Sequence, residues 1–120
     1  MSTAGTMAAE YSYVVEYRRC IRAEGLTWPI AVCTTCRGII EPRAQESSKT
    51  GAHGKLYFVH QHPLAFITLL QSNSGKRRVA VSGELGELAR AVERAWVVQR
   101  ASVDEVVELA RLLMADSPAP

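Results

Sequence analysis

The N-terminal part of the chain has the alternating pattern that is typical of strands. Residues 10–22 read EYSYVVEYRRCIR, in which Tyr11, Tyr13, Val15 and Tyr17 alternate with other side chains. Tyrosine and valine favour extended backbone, and a period of two indicates a strand with one face turned towards a core. The pattern therefore predicts a strand in this region.

Further short runs rich in apolar residues predict the remaining strands, at residues 28–32, 39–40, 56–62 and 77–81. Runs this short, bounded by glycine, proline and polar residues, are more typical of strands than of helices. Residues 43–55 are polar and predict a long loop. The segment 64–72, LAFITLLQS, fits either a short helix that starts after Pro63 or a buried strand, and we favour the helix.

Two stretches near the C-terminus have apolar residues three and four positions apart, as in amphipathic helices. Ser82 is a candidate N-cap for a first helix that covers about residues 84–100. Ser102 and Glu105 have the spacing of a capping box that opens a second helix. Together the patterns predict an α+β fold, in which a small antiparallel β-unit is followed by a C-terminal helical hairpin.

Length and composition indicate a single globular domain, since the chain has 120 residues, 48% hydrophobic and 22% charged. We expect a disordered leader at residues 1–9, one domain over 10–115 and a flexible tail at 116–120. No apolar run is long enough to span a membrane, and the first residues lack the features of a secretory signal. We therefore expect no contact with membranes and a cytoplasmic location.

Two cysteines and two histidines in the β-rich half have the spacing of metal ligands. Cys33 and Cys36 form a C-x2-C turn, and His60 and His62 form an H-x-H pair whose imidazoles would share one face of a strand. Gly38, just after the turn, permits the positive φ that such turns often need. Two thiolates and two imidazoles make a tetrahedral set that suits Zn²⁺, which predicts a structural zinc site.

Locally this arrangement resembles a zinc ribbon, over residues 30–63. Zinc ribbons usually repeat the C-x2-C turn, and here histidines stand in place of the second cysteine pair. The resemblance implies a zinc-ribbon-like metal turn between two strands, and it indicates no particular family. His53, in the polar loop, is an alternative ligand to His60 or His62.

Three other interpretations of these residues remain open. The cysteines and histidines are ordinary core and strand residues; or the cysteines form a redox dithiol; or the metal is catalytic, with Glu41 or His53 as a base. A thioredoxin-like redox dithiol needs the C-x2-C motif at a helix N-terminus, and Arg37, Gly38 and Pro42 oppose a helix there. A structural ion held by four protein ligands is therefore the preferred interpretation.

Charge is distributed unevenly along the chain. Residues 1–83 carry ten Lys or Arg against five Glu, whereas residues 84–120 carry four Arg against seven acids, so +5 and −3 give a net charge of +2. The basic residues that we expect to contact phosphate groups are Arg18, Arg19, Arg37, Lys76, Arg77 and Arg78.

These patterns predict a non-catalytic, zinc-stabilised binding module whose basic β-half contacts nucleic acid or an acidic partner. A protein–protein adaptor or small regulator without nucleic-acid binding is the alternative function. A small metal- or dithiol-dependent enzyme ranks third.

Overall fold

The computed structural model of the chain describes residues 13–20, 25–44 and 53–116, with side chains described over 25–42 and 57–116. The leader expected at residues 1–9 lies outside the described residues, as do residues 117–120 of the expected tail. The described part has the α+β architecture that the sequence predicts.

Within the ranges that the structure describes, seven antiparallel strands form two sheets. The strands are β1 (Tyr13–Cys20), β2 (Leu26–Cys33), β3 (Gly38–Ile40), β4 (Arg43–Ala44), β5 (His53–His60), β6 (Ala65–Gln71) and β7 (Arg77–Ser82). One sheet has three strands in the order β1–β5–β4, and the other has four in the order β3–β2–β6–β7. The chain therefore crosses from one sheet to the other after β1, after β3 and again after β5.

Two helices follow the strands, as predicted. They are α1 (Glu87–Glu93), which continues into a π-helical turn at Arg94–Val98, and α2 (Val103–Asp116). The predicted capping box opens α2, because the Ser102 N–H donates to the Glu105 carboxylate at 2.9 Å and the Glu105 N–H donates to the Ser102 hydroxyl at 3.1 Å.

The predicted N-cap of the first helix is wrong. Gly86 is the N-cap residue, so α1 starts at Glu87. The hydroxyl of Ser82 instead accepts a hydrogen bond of 3.0 Å from the backbone N–H of Phe66. Ser82 is the last residue of the edge strand β7, and its side chain bonds to the neighbouring strand β6 and not to the helix.

The segment 64–72 contains a strand, so the helix that we favoured there is wrong. This strand, β6, pairs with β2 on one side and with β7 on the other. Ile67 and Leu69 pack against the helices, while Phe66 packs towards the three-stranded sheet. A central strand that is covered on both faces has a continuous apolar sequence, and the alternation that would have identified it is absent.

The four-stranded sheet is covered on both faces, and β2 shows this directly. Ile30 and Val32 belong to the core formed with the helices, whereas Ala31 and Cys33 belong to a second core that includes Phe58 of β5. All four β2 residues are buried. The alternation of strand side chains therefore directs Cys33, at the end of β2, towards the strand that ends at His60.

The π-helical turn holds Trp96 against the sheet. This side chain is fully buried, and its indole N–H donates to the backbone carbonyl of Leu70 at 3.1 Å. A buried indole needs such a partner because an unpaired donor in the core is costly.

Arg77 joins the edge strand β7 to the helical layer. Its guanidinium donates to the carbonyls of Trp96 (3.0 Å) and Ala101 (2.8 Å), and its Nε donates to the Gln71 side chain at 2.9 Å. It also lies 3.8 Å from the centre of the Trp96 ring. Burial lowers the pKa of Arg77 and the nearby Arg100 lowers it further, although arginine remains charged at neutral pH.

Replacing Arg77 with alanine should lower the free energy of unfolding by about 2–3 kcal/mol, because two carbonyls lose a charged donor and the Trp96 ring loses its cation. Arg78→Ala is the matched control, since its exposed side chain should change stability by less than about 0.5 kcal/mol. Urea denaturation followed by tryptophan fluorescence measures both. Equal losses in the two variants would contradict the role assigned to Arg77.

Candidate metal centre

The C-x2-C motif occupies the tight turn of the β2–β3 hairpin. Cys33 is the last residue of β2 and faces Gly38, the first residue of β3, across the ladder. The Arg37 N–H donates to the Cys33 carbonyl at 2.8 Å and closes the turn. The positive φ lies at Arg37 (62°), so its expected place at Gly38 is wrong.

The turn also directs a backbone donor at one of the sulfurs. The N–H of Cys36 donates to the Sγ of Cys33 at 3.2 Å. The hairpin turn therefore fixes the position of the Cys33 sulfur through a bond to its own backbone.

The two histidines approach the turn from different local structures. His60 is the last residue of β5, whereas His62 lies in the bend that leads to β6, so the prediction that one strand holds both is wrong. β5 ends at His60, where the chain bends away from the three-stranded sheet. The two imidazole rings lie 5.4 Å apart at an angle of 67°.

The four candidate ligand atoms converge on one point. All of them lie within 4.8 Å of one another. The Sγ of Cys36 is 3.3 Å from Nε2 of His60 and 3.4 Å from Nδ1 of His62, and the Sγ of Cys33 is 3.9 Å from the same Nδ1. Tetrahedral zinc, with ordinary bond lengths to sulfur and nitrogen, separates these atoms by about 3.6 Å. The observed distances bracket that value.

This group could hold a metal ion, and its chemistry is consistent with zinc. Thiolate and imidazole are ligands that Zn²⁺ accepts, whereas Ca²⁺ and Mg²⁺ prefer oxygen. Desolvation raises the pKa of the Cys36 thiol, and the hydrogen bond to Cys33 and the charge of Cys33 raise it further. A cation among the four atoms would offset this repulsion between sulfurs.

The alternative ligand and the two candidate bases lie elsewhere. His53 starts β5 and His60 ends it, which separates them by about 23 Å along the strand. His53 therefore does not replace His60 or His62 in this group. Glu41 pairs with Arg111 of α2 at 3.2 Å and is held towards the helical layer.

The basic residues that we expect to contact phosphate lie at separate places. Arg37 belongs to the turn that carries Cys33 and Cys36, called the metal turn below. Lys76, Arg77 and Arg78 instead follow the turn between β6 and β7. These two places are at opposite ends of the four-stranded sheet, because Leu26, at the start of β2, pairs with Gln71.

Burial separates the basic residues further. Lys76 and Arg78 are exposed, while Arg77 is half-buried and donates to two backbone carbonyls. Arg18 and Arg19 lie in β1, opposite Lys55 and Gly54 of β5, and their side chains are outside the described part. Lys76, Arg77 and Arg78 are consecutive but differ in exposure, and the basic sequence alone does not show which of them faces the solvent.

Three findings complete the description of the site. Among the residues that the structure describes, one group of cysteine, histidine or acidic side chains is placed so that it could hold a metal ion. It consists of Cys33, Cys36, His60 and His62. No helix within the described ranges is both long and apolar enough to cross a membrane. No known protein family, characterised protein or solved structure matches the chain.

His62→Ala should weaken zinc binding at least about a hundredfold, because it removes one of four direct ligands. His53→Ala is the matched control, since it removes an imidazole from the opposite end of β5, and zinc affinity should stay unchanged. Competition with a chromogenic chelator measures both affinities. A large loss in the His53 variant, or none in the His62 variant, would contradict the ligand set.

Proposed function

We propose that this protein is a non-catalytic binding module whose fold depends on one structural Zn²⁺. The observation that carries the proposal is the convergence of four protein ligand atoms within 4.8 Å of one another. Structural zinc sites fill all four positions with protein ligands, whereas catalytic sites leave one open for water or substrate. A closed Cys₂His₂ set supports the structural role.

An ion at this place would join the two sheets. Cys33 and Cys36 lie in the β2–β3 hairpin of the four-stranded sheet, whereas His60 ends β5 of the three-stranded sheet. Zinc in a zinc-ribbon-like turn would add a direct link between the sheets, since the cysteines lie on one side and His60 on the other.

The surroundings of the cysteines support a structural ion over catalysis. Metal catalysis needs a base next to an open coordination position. His53 lies at the far end of β5, and Glu41 pairs with Arg111 and is not among the converging side chains. Thioredoxin-like redox dithiols lie at a helix N-terminus that lowers one thiol pKa. Here the motif leads into β3, and the pKa of Cys36 is raised. Metal-binding thiolates also suit the reducing cytoplasm that we propose as the location.

The purified full-length chain should contain one zinc per molecule by elemental analysis. Removing zinc with a chelator, or replacing Cys33 with serine, should lower the melting temperature by at least about 10 °C, since binding energy at a structural site contributes to folding. Thr35→Ser, an exposed change in the same turn, is the control and should melt like the parent. X-ray absorption that shows water oxygen in place of a protein ligand would contradict a closed site.

A second candidate function, contact with nucleic acid, is favoured by exposed cations at the β6–β7 turn. Lys76 and Arg78 line one cleft of about 260 Å³ together with Ser72. Two exposed cations and a hydroxyl suit phosphate oxygens. We propose Lys76 and Arg78 as the phosphate contacts at this end of the sheet, with Arg18, Arg19 and Arg37 as further candidates.

The double variant Lys76→Glu/Arg78→Glu should weaken the retardation of DNA in a mobility-shift assay at low salt. If both residues contact phosphates, the slope of log affinity against log salt should fall by about 2. Arg90→Glu/Arg94→Glu reverses two exposed charges on the helical layer and serves as the control. Absence of retardation by the parent protein at low salt would leave the protein-binding function as the one to pursue.

A further inference from the structure

The metal turn forms one wall of a groove whose opposite wall is the helical layer. The groove has a volume of about 580 Å³, and Thr34 and Arg37 contribute from the turn. Its floor is made of apolar side chains from both helices and the segment before α1, namely Leu85, Leu88, Ala91, Leu113 and Met114. Binding sites for small ligands and peptide side chains commonly have volumes of about 300–1,000 Å³ and an apolar lining.

The rim of the groove is acidic. Glu84, Glu87 and Asp116 line it, and among its described lining residues Arg37 is the only cation. Within the described part of the chain, neither Glu84 nor Asp116 is in an ion pair. Glu87 contacts Arg90 at 3.4 Å, but both side chains are largely exposed, so water and salt weaken that pair. The groove therefore presents negative charge beside an apolar floor.

We propose that this groove binds a short segment of a partner protein that carries apolar side chains flanked by lysine or arginine. Apolar side chains of the segment lie against Leu88 and Met114, and its cations meet Glu84 and Asp116. Charge complementarity favours this occupant over nucleic acid, because phosphates would meet three carboxylates and one cation. The inference rests on the proposed function as a binding module and names the partner of one surface.

The groove wall depends on the conformation of the metal turn. Arg37 has a φ of 62°, which is uncommon for a residue other than glycine and is held by its N–H bond to the Cys33 carbonyl. Zinc on the adjoining Cys36 fixes that turn, so peptide binding and zinc binding support each other. Loss of zinc is therefore expected to weaken peptide binding even where the helices remain folded.

The test uses the zinc-loaded full chain and a short fluorescent peptide of leucine, lysine and serine. Fluorescence anisotropy at low salt should show binding of this peptide and none of the same peptide with glutamate in place of lysine. Glu84→Lys/Asp116→Lys should weaken binding about tenfold, because two exposed attractions become repulsions. Glu93→Lys/Asp104→Lys makes the same charge change outside the groove and should leave the dissociation constant within about twofold.

Several outcomes would overturn the inference while leaving the proposed function intact. These are no binding of the lysine peptide, equal weakening by the two double variants, or tighter binding of a labelled oligonucleotide that the groove variants also weaken. Zinc content and melting temperature are measured on every variant. Loss of peptide binding with both values unchanged reports on the groove, whereas absence of zinc from the parent protein contradicts the proposed function itself.

Discussion

The convergence of the cysteine turn with the end of β5 is the constraint on which the arrangement of the two sheets depends. Cys36 and His60 are 24 residues apart, and their ligand atoms approach to 3.3 Å. Bringing such distant groups together costs chain entropy, which a metal bond offsets far more effectively than a neutral contact between a thiol and an imidazole. Phe58 of β5 also meets Phe66 of β6 edge to face, which adds an apolar contact between the two sheets.

The four-stranded sheet sets the position of both candidate surfaces. Because helices cover one face and β5 covers the other, alternate residues of β2 serve different cores, and Cys33 ends the series that faces β5. The same hairpin continues into Thr34 and Arg37, which face the helices across the groove. A change in the backbone of this turn would therefore move both the cysteine ligands and the groove wall.

Local chemistry made part of the structure predictable from the sequence. The spacing within each pair, Cys33 with Cys36 and His60 with His62, identified the candidate ligands. Ser102 with Glu105 identified the start of α2 in the same way, because neighbours a few residues apart decide these features. The β2–β3 hairpin around the cysteines was equally predictable from the sequence, since short apolar runs flank a polar turn. These predictions needed no knowledge of distant parts of the chain.

The remaining features depend on contacts far apart in sequence. β6 has no alternation because two layers cover it, and no local pattern separates such a strand from a short helix. Arg77 has basic neighbours in sequence, like a residue of a solvated surface cluster, yet its guanidinium is half-buried against the carbonyls of Trp96 and Ala101. His62 reaches the sulfurs from a bend, which an H-x-H pair in a strand did not indicate.

The two sulfurs of the turn differ in access to solvent, since Cys33 is buried and Cys36 is exposed. Ligand exchange at zinc proceeds by attack from an incoming donor, and that donor reaches the Cys36 side first. In the zinc-loaded protein that we propose, the bond to Cys36 would therefore be the more accessible of the two, and the bond to the buried sulfur of Cys33 the more protected.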